Sequence, residues 1–194
     1  METIYPVILA VPEKKRQLTG KDKVLSLSKQ ARQALDISAQ KSCIHLSNLL
    51  KDKNGAPLPF NDNYWSLTHK PDYVGGVVAS TRIGIDIEKI RQCSEALFSK
   101  TASKKERGLV NTDPVKLFFR YWTSKESVLK AVGTGLKDLS KCIITKVIDE
   151  NNLFIAYKEK EWLIEHFYFD GHIASVTKNF FNIKWSLRNG DEVP

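Results

Sequence analysis

Three short segments of this 194-residue chain hold residue types that could do chemistry. The first is Gly84-Ile85-Asp86-Ile87-Glu88. In an extended strand, side chains two apart share a face, so Asp86 and Glu88 point together while Ile85 and Ile87 point into a core. Two carboxylates on one face repel each other unless a proton or a cation relieves them. All-oxygen ligands suit Mg²⁺ or Mn²⁺ better than zinc. The plain alternative is a half-buried strand with a polar outer face, and for an isolated Asp-x-Glu it is the better one. The second segment is Trp122-Thr123-Ser124-Lys125-Glu126-Ser127-Val128-Leu129-Lys130, followed by Gly133-Thr134-Gly135-Leu136. On a helix, Glu126 and Lys130 lie one above the other at a rise of about 6 Å. The alternative here is a surface ion pair worth a few tenths of a kcal/mol. Trp122 shares that face and sits beside an apolar stripe, which places the pair near a boundary between packed bodies. The third and weakest segment is Ser66-Leu67-Thr68-His69, at a strand end before Pro71. A lone histidine is usually structural or merely exposed; next to a threonine hydroxyl it could grip a phosphate.

The elements that must position these residues follow from periodicity and punctuation. A short strand is expected near Tyr5–Val11, and a weak helical period runs from Leu25 to Leu35. Ile44, Leu46, Leu49 and Leu50 suggest a second short helix, ended by the Asn54-Gly55 turn signal and by Pro57 and Pro59. Residues 64–67, 74–79 and 83–87 read as successive strands, with Gly75-Gly76 marking a bulge or a close approach. Asp113-Pro114 is a helix start, with Asp as N-cap and Pro at the first helical position. From it Phe118, Tyr121, Trp122, Leu129 and Val132 form one stripe, and Gly133 stops the helix. Residues 143–148, 153–157, 162–169, 173–177 and 182–187 then read as strands, with Asn151-Asn152 and Asp170-Gly171 as hairpin-like connections. Helices followed by antiparallel strands thus occur twice, with a division between residues 89 and 100. The expected fold is α+β: two similar lobes, each a helix packed on an antiparallel sheet, over residues 1–90 and 91–194.

Taken in order, Thr-His after a strand, Gly-Ile-Asp-Ile-Glu on a nearby strand, and Trp-Thr-Ser-Lys-Glu-Ser-Val-Leu-Lys-x-x-Gly-x-Gly-Leu on a helix resemble the 4′-phosphopantetheinyl transferases. The resemblance is to the two-lobed, Sfp-type branch and spans about residues 53–136, with looser agreement to Val176, including Ile173-Ala174-Ser175-Val176. It implies an enzyme that transfers the 4′-phosphopantetheine group of coenzyme A to a serine of a carrier protein, with Mg²⁺ as cofactor, in a cleft between the lobes. By the same resemblance Asp86, Glu88 and Glu126 hold Mg²⁺ against the pyrophosphate of coenzyme A. Lys130 contacts the transferring phosphate, and Glu126 also serves, directly or through water, as base on the acceptor serine. Thr68 and His69 match a Ser-His pair that contacts the nucleotide's phosphates, and Gly84 lets the backbone come close to the ligand. Lys125, one residue off the Glu126 face, is expected to be structural or at the surface. The family often has Gly-Lys-Pro where this chain reads Gly55-Ala56-Pro57, so one lysine–phosphate contact is missing, and Lys53 and Lys70 are the candidates to replace it.

Composition narrows the alternatives. With 42% apolar and 27% charged residues the chain is that of a soluble globular protein. Its longest apolar run, Tyr5–Val11, falls far short of the ~20 residues of a membrane span. The basic sequence that follows it does not fit a signal peptide. Three widely spaced cysteines argue against a disulfide framework or a zinc site, and a cytoplasmic protein is expected. The net charge of +8 is concentrated in residues 1–50 and at Lys100, Lys104, Lys105 and Arg107, which favours an anionic partner: nucleic acid, a phosphorylated small molecule or an acidic protein, and the resemblance implies an acidic carrier protein. The alternative is a solvated basic surface with no partner. A nucleic-acid-binding module is not expected, because no helix-turn-helix, zinc-finger or RNP-like signature is present. The remaining rival is a non-catalytic member that binds coenzyme A or a carrier without transfer. Two built-in lobes make a monomer the expected state.

Overall fold

Apolar residues near the N-terminus lie extended as β1 (Thr3–Ile4) and β2 (Val7–Ala10), followed by a single turn, α1 (Glu13–Arg16). The weak period around Leu25–Leu35 belongs to a longer helix, α2 (Gly20–Lys41), which buries Leu27, Ala31, Ala34 and Leu35. Strands β3 (Tyr64–His69), β4 (Tyr73–Ala79) and β5 (Ile85–Lys89) follow, then two short helices, α3 (Glu95–Thr101) and α4 (Lys104–Arg107). The long helix α5 (Pro114–Val132) begins and ends as its sequence dictates. Asp113 accepts from the Lys116 amide, Pro114 opens the first turn, and Gly133 closes the helix in the left-handed conformation. After a 3₁₀ turn at Leu136–Lys141 come β6 (Ile143–Val147), β7 (Asn152–Tyr157), β8 (Lys160–Phe169), β9 (His172–Thr177), β10 (Asn182–Ile183) and β11 (Ser186–Arg188). This computed structural model describes residues 1–189.

The chain is α+β, as its sequence implies. A four-stranded sheet in the order β11-β2-β4-β3 carries α2, and a five-stranded antiparallel sheet in the order β5-β9-β8-β7-β6 carries α5. Val7 and Leu9 face α2, whereas Ile8 packs with Ile87, Phe169 and Ala174 of the second sheet. The two sheets therefore share an apolar seam, with one helix on each outer side. Strand exchange crosses the expected division near residue 90: β5 joins the second sheet, and β11 joins the first.

Three local expectations change. Residues 44–50 are not helical: Asn48 takes a left-handed φ of 49°, and Ile44, Leu46 and Leu49 pack as an irregular segment against α2 and Trp65. The stretch 182–187 is not one strand of the second set. It splits into β10 and β11, which run parallel to β1 and β2. Pro6 between β1 and β2 has no N–H to give, and its carbonyl accepts from Ser186 instead. Gly75-Gly76 makes a close approach and not a bulge. A side chain on Gly76 would lie 2.5 Å from the Leu35 backbone of α2, and one on Gly75 would lie 3.0 Å from Ile87 of β5.

Lys125, expected to be structural or exposed, proves deeply structural. Its ammonium donates to Glu106 Oε1 at 2.6 Å and to the Thr101 carbonyl at 2.6 Å, with the two side chains 1% and 4% exposed. Glu106 also accepts from the Ile144 and Ser103 amides, so one carboxylate joins α4, α5 and β6. Burial opposes the charge on Glu106, but these donors outweigh it and hold its pKa below the ordinary range. That stabilisation is present above the unfolded-state pKa and is lost as pH falls through the depressed one. Lys125→Met should cost about 3–5 kcal/mol in chemical denaturation, because it strands a buried charge. The exposed Lys104→Met should cost under about 0.5 kcal/mol. Equal effects of the two variants would refute this assignment.

Candidate active site

Strand β5 presents its two carboxylates on one face, as the alternation requires, but they meet different partners. Asp86 is fully buried. Its Oδ1 accepts from Lys130 Nζ at 2.8 Å and from Thr68 Oγ1 at 3.1 Å, while Oδ2 has no hydrogen-bond partner. Glu88, nearer the surface, accepts from Lys70 Nζ at 2.6 Å. Glu126 on α5 stands close enough to feel all of these charges. Burial and then the charge of Asp86 raise its pKa above 4.5, with Glu88 adding, against the opposing pull of Lys130 and Lys70. Among the described residues, no three His, Cys, Asp or Glu side chains are grouped as a metal-holding cluster. Asp86, Glu88 and Glu126 thus share one charge cluster with the ammoniums of Lys70 and Lys130.

The helix does not form the alternative surface pair. Lys130 does not bond Glu126 four residues earlier; it reaches across to β5, where it donates to the Ile85 carbonyl at 3.0 Å as well as to Asp86. Close contact makes this reach possible. A Cβ on Gly84 would sit 1.9 Å from the Ser127 carbonyl oxygen of α5. Glycine at 84 is therefore required by helix-on-strand packing, which brings α5 close to β5. Trp122 belongs to the helix core, where it packs with Phe118.

At the end of β3, Thr68 is buried with its hydroxyl committed to Asp86, so its place is that of a support for the carboxylate. His69 is exposed. Partial desolvation lowers its pKa below 6.5, and the charges of Lys130, Lys70 and Lys51 lower it further against an opposing backbone hydrogen bond. A pocket of about 290 Å³ opens beside these residues. Glu126, Lys130, Ser66 and the loop Asn54–Pro57 line it, with Gly133 and Leu136 from the end of α5. Lys51 lines it as well. Sequence reading missed Lys51, and the only available signal was its nearness to Gly55-Ala56-Pro57. Lys70, one of the two suggested replacements for a missing lysine, lies in the charge cluster.

Comparison with known proteins agrees with this geometry. Residues 82–177 match the 4′-phosphopantetheinyl transferase superfamily. That segment belongs to this superfamily. The match contains Gly84, Asp86, Glu88, Glu126 and Lys130, but not Thr68 or His69. The chain is 30% identical over 95 residues to 4′-phosphopantetheinyl transferase gsp of Aneurinibacillus migulanus, covering 46% of this chain and 40% of that protein. It is 38% identical over 84 residues to 4′-phosphopantetheinyl transferase HetI of Nostoc sp., covering 40% of this chain and 35% of that protein. The chain thus spans two fifths or less of the length of these curated relatives.

The raised Glu126 can be measured in the metal-free protein. Carboxyl NMR titration should place its midpoint above 4.5. Asp86→Asn should lower that midpoint by removing a like charge, and Lys130→Met should raise it. Because folding favours the neutral acid here, this group's contribution to stability is greatest below its unfolded-state pKa and is lost as pH rises through the raised one. A midpoint unmoved in both variants would disprove the coupling.

Proposed function

We propose that the site transfers the 4′-phosphopantetheine group of coenzyme A to a serine of an acyl or peptidyl carrier protein. The observation that carries this reading is Asp86. It is a wholly buried carboxylate with one oxygen left without a donor, inside the segment that matches the family and beside a helix that brings Glu126 and Lys130 to a pocket. A buried carboxylate oxygen with no partner is costly, and a ligand that supplies positive charge relieves it.

The donor chemistry fits Mg²⁺. Asp86, Glu88 and Glu126 offer only carboxylate oxygens, the hard ligands this ion takes, and they would hold it. Bound there, Mg²⁺ would neutralise charge on the pyrophosphate of coenzyme A. Glu126, whose raised proton affinity suits a base, takes the proton of the carrier serine directly or through water. The serine oxygen bonds to the β-phosphorus of coenzyme A, the phosphoanhydride bond breaks, and adenosine 3′,5′-bisphosphate leaves with the electron pair. Lys130 offsets the charge on the transferring phosphate, and His69 lies toward the nucleotide end. Thr68 and Gly84 position Asp86 and β5.

We read residues 1–90 and 91–194 as two lobes that meet at this site, in a cytoplasmic monomer. Three free cysteines suit a reducing compartment. No helix among the described residues is long and apolar enough to cross a membrane. An acidic carrier is the partner that suits the net charge of +8.

Incubating the protein with coenzyme A, Mg²⁺ and a panel of apo-carriers, then weighing the carriers, tests the reading. One carrier should gain a single phosphopantetheine. Glu126→Gln should lower kcat by about 10²–10⁴-fold with coenzyme A still bound. Binding of coenzyme A with no carrier modified would favour the non-catalytic alternative. The docking charges can be assigned too. Arg107 is engaged by Glu95 and stacks on Phe98, whereas Lys104 and Lys105 of α4 are exposed. Changing Lys104 and Lys105 to Glu should raise the KM for the carrier and flatten its salt dependence, with the KM for coenzyme A little altered. Unchanged carrier kinetics at low salt would mean that α4 is a solvated surface.

A further inference from the structure

Lys70 has no part in the reaction described above, yet it is held inside the site's charge cluster. It follows His69 at the end of β3, and its ammonium lies 2.6 Å from Glu88 with the side chains 30% and 14% exposed. Burial works against its charge, but Asp86, Glu88 and Glu126 together outweigh that cost and raise its pKa. A pair serving only stability in this fold looks different. Lys125 and Glu106 are sealed at 1% and 4% exposure, with the ammonium bonded both to the carboxylate and to the Thr101 carbonyl. Lys70, by contrast, has one carboxylate partner, an open side to solvent, and a neighbouring histidine that also feels Lys51 and Lys130.

Three carboxylates share two ammoniums in this cluster. A cation that binds the open Oδ2 of Asp86 together with Glu88 would compete with Lys70 for the Glu88 carboxylate, while Lys130 holds Asp86 Oδ1. A lysine ammonium is a compact charge on a flexible four-carbon stem, so once displaced it can turn to another anion without moving the backbone. The strand that Lys70 follows lends Trp65, Ser66 and Leu67 to a pocket whose lining also includes Lys51 and Lys130.

We propose that Lys70 is a phosphate-binding residue held in reserve by Glu88: when Glu88 is relieved, its ammonium moves to a phosphate oxygen of the nucleotide ligand beside His69. The inference rests on coenzyme A being the ligand of the site, and it assigns a contact that the proposed reaction leaves open. It also couples two events, since engaging Glu88 frees the cation that the anionic ligand needs.

Calorimetric binding of coenzyme A and of adenosine 3′,5′-bisphosphate to the full chain, without carrier protein, tests it in EDTA and in Mg²⁺. In Mg²⁺, Lys70→Met should weaken both ligands by about 10- to 100-fold, the loss of one charge-assisted hydrogen bond, and Lys70→Arg should restore part of it. In EDTA, Glu88→Gln should tighten binding, and that gain should shrink when Lys70→Met is present, because the freed ammonium carries it. Removal of a repelling charge alone would give the same gain in both backgrounds, which would overturn the proposal. So would a dissociation constant within about twofold of wild type for Lys70→Met, accompanied only by a lower melting temperature. If Lys70→Met does not fold, the Glu88→Gln comparison is repeated against Lys70→Gln. A wild-type protein that binds neither ligand would overturn the coenzyme A reading itself, an outcome distinct from normal wild-type binding with no effect of Lys70.

Discussion

Strand β5 has to touch two bodies at once, and the site depends on that squeeze. On one face Ile85 and Ile87 enter the seam between the sheets, where Gly75 leaves no Cβ to obstruct them. At its start Gly84 lets α5 come close enough that any side chain there would strike the Ser127 carbonyl. With the strand fixed on both sides, the face opposite the isoleucines can point only toward α5 and the end of β3. Asp86 is buried for that reason, and Lys130 and Thr68 are its partners for the same reason.

Burying a carboxylate in this way costs several kcal/mol unless its oxygens are satisfied. The fold handles two such charges in opposite ways. Glu106 is fully engaged, by an ammonium and two amides, and it locks α4 and β6 onto α5. Asp86 is engaged on one oxygen only. The first arrangement is what a structural ion pair needs, a closed set of donors. The second leaves one buried carboxylate oxygen unsatisfied, which is the condition for binding something charged. Glu126 records its burial and the charge of Asp86 in its raised proton affinity.

The long-range order of elements was legible because it rests on local signals. The Asp113-Pro114 start and Gly133 stop of α5, and the Ile-Asp-Ile-Glu alternation of β5, are set by caps, turns and two-residue periodicity. The Ser103–Glu106 capping box of α4 was also there to be seen, although its four residues carry no apolar period. Residues 44–50 misled for the converse reason: their leucines and isoleucines have helical spacing, yet they serve an irregular segment draped on α2.

By itself the sequence determined which residues could do chemistry and which would face the same way, because strand and helix periodicity act over two to four residues. Asp86 and Glu88 on one face and Glu126 and Lys130 on one helix followed from that range of information. Only the tertiary structure decided the partners. Lys130 passes over Glu126 to reach Asp86, Thr68 turns its hydroxyl to the same carboxylate, and Lys70 takes Glu88. The same holds for Lys125, whose burial depends on a glutamate from a different helix. Charge pairing between elements depends on how closely their backbones approach. Here that distance is set by glycines whose missing side chains have meaning only once the neighbouring backbone is in place.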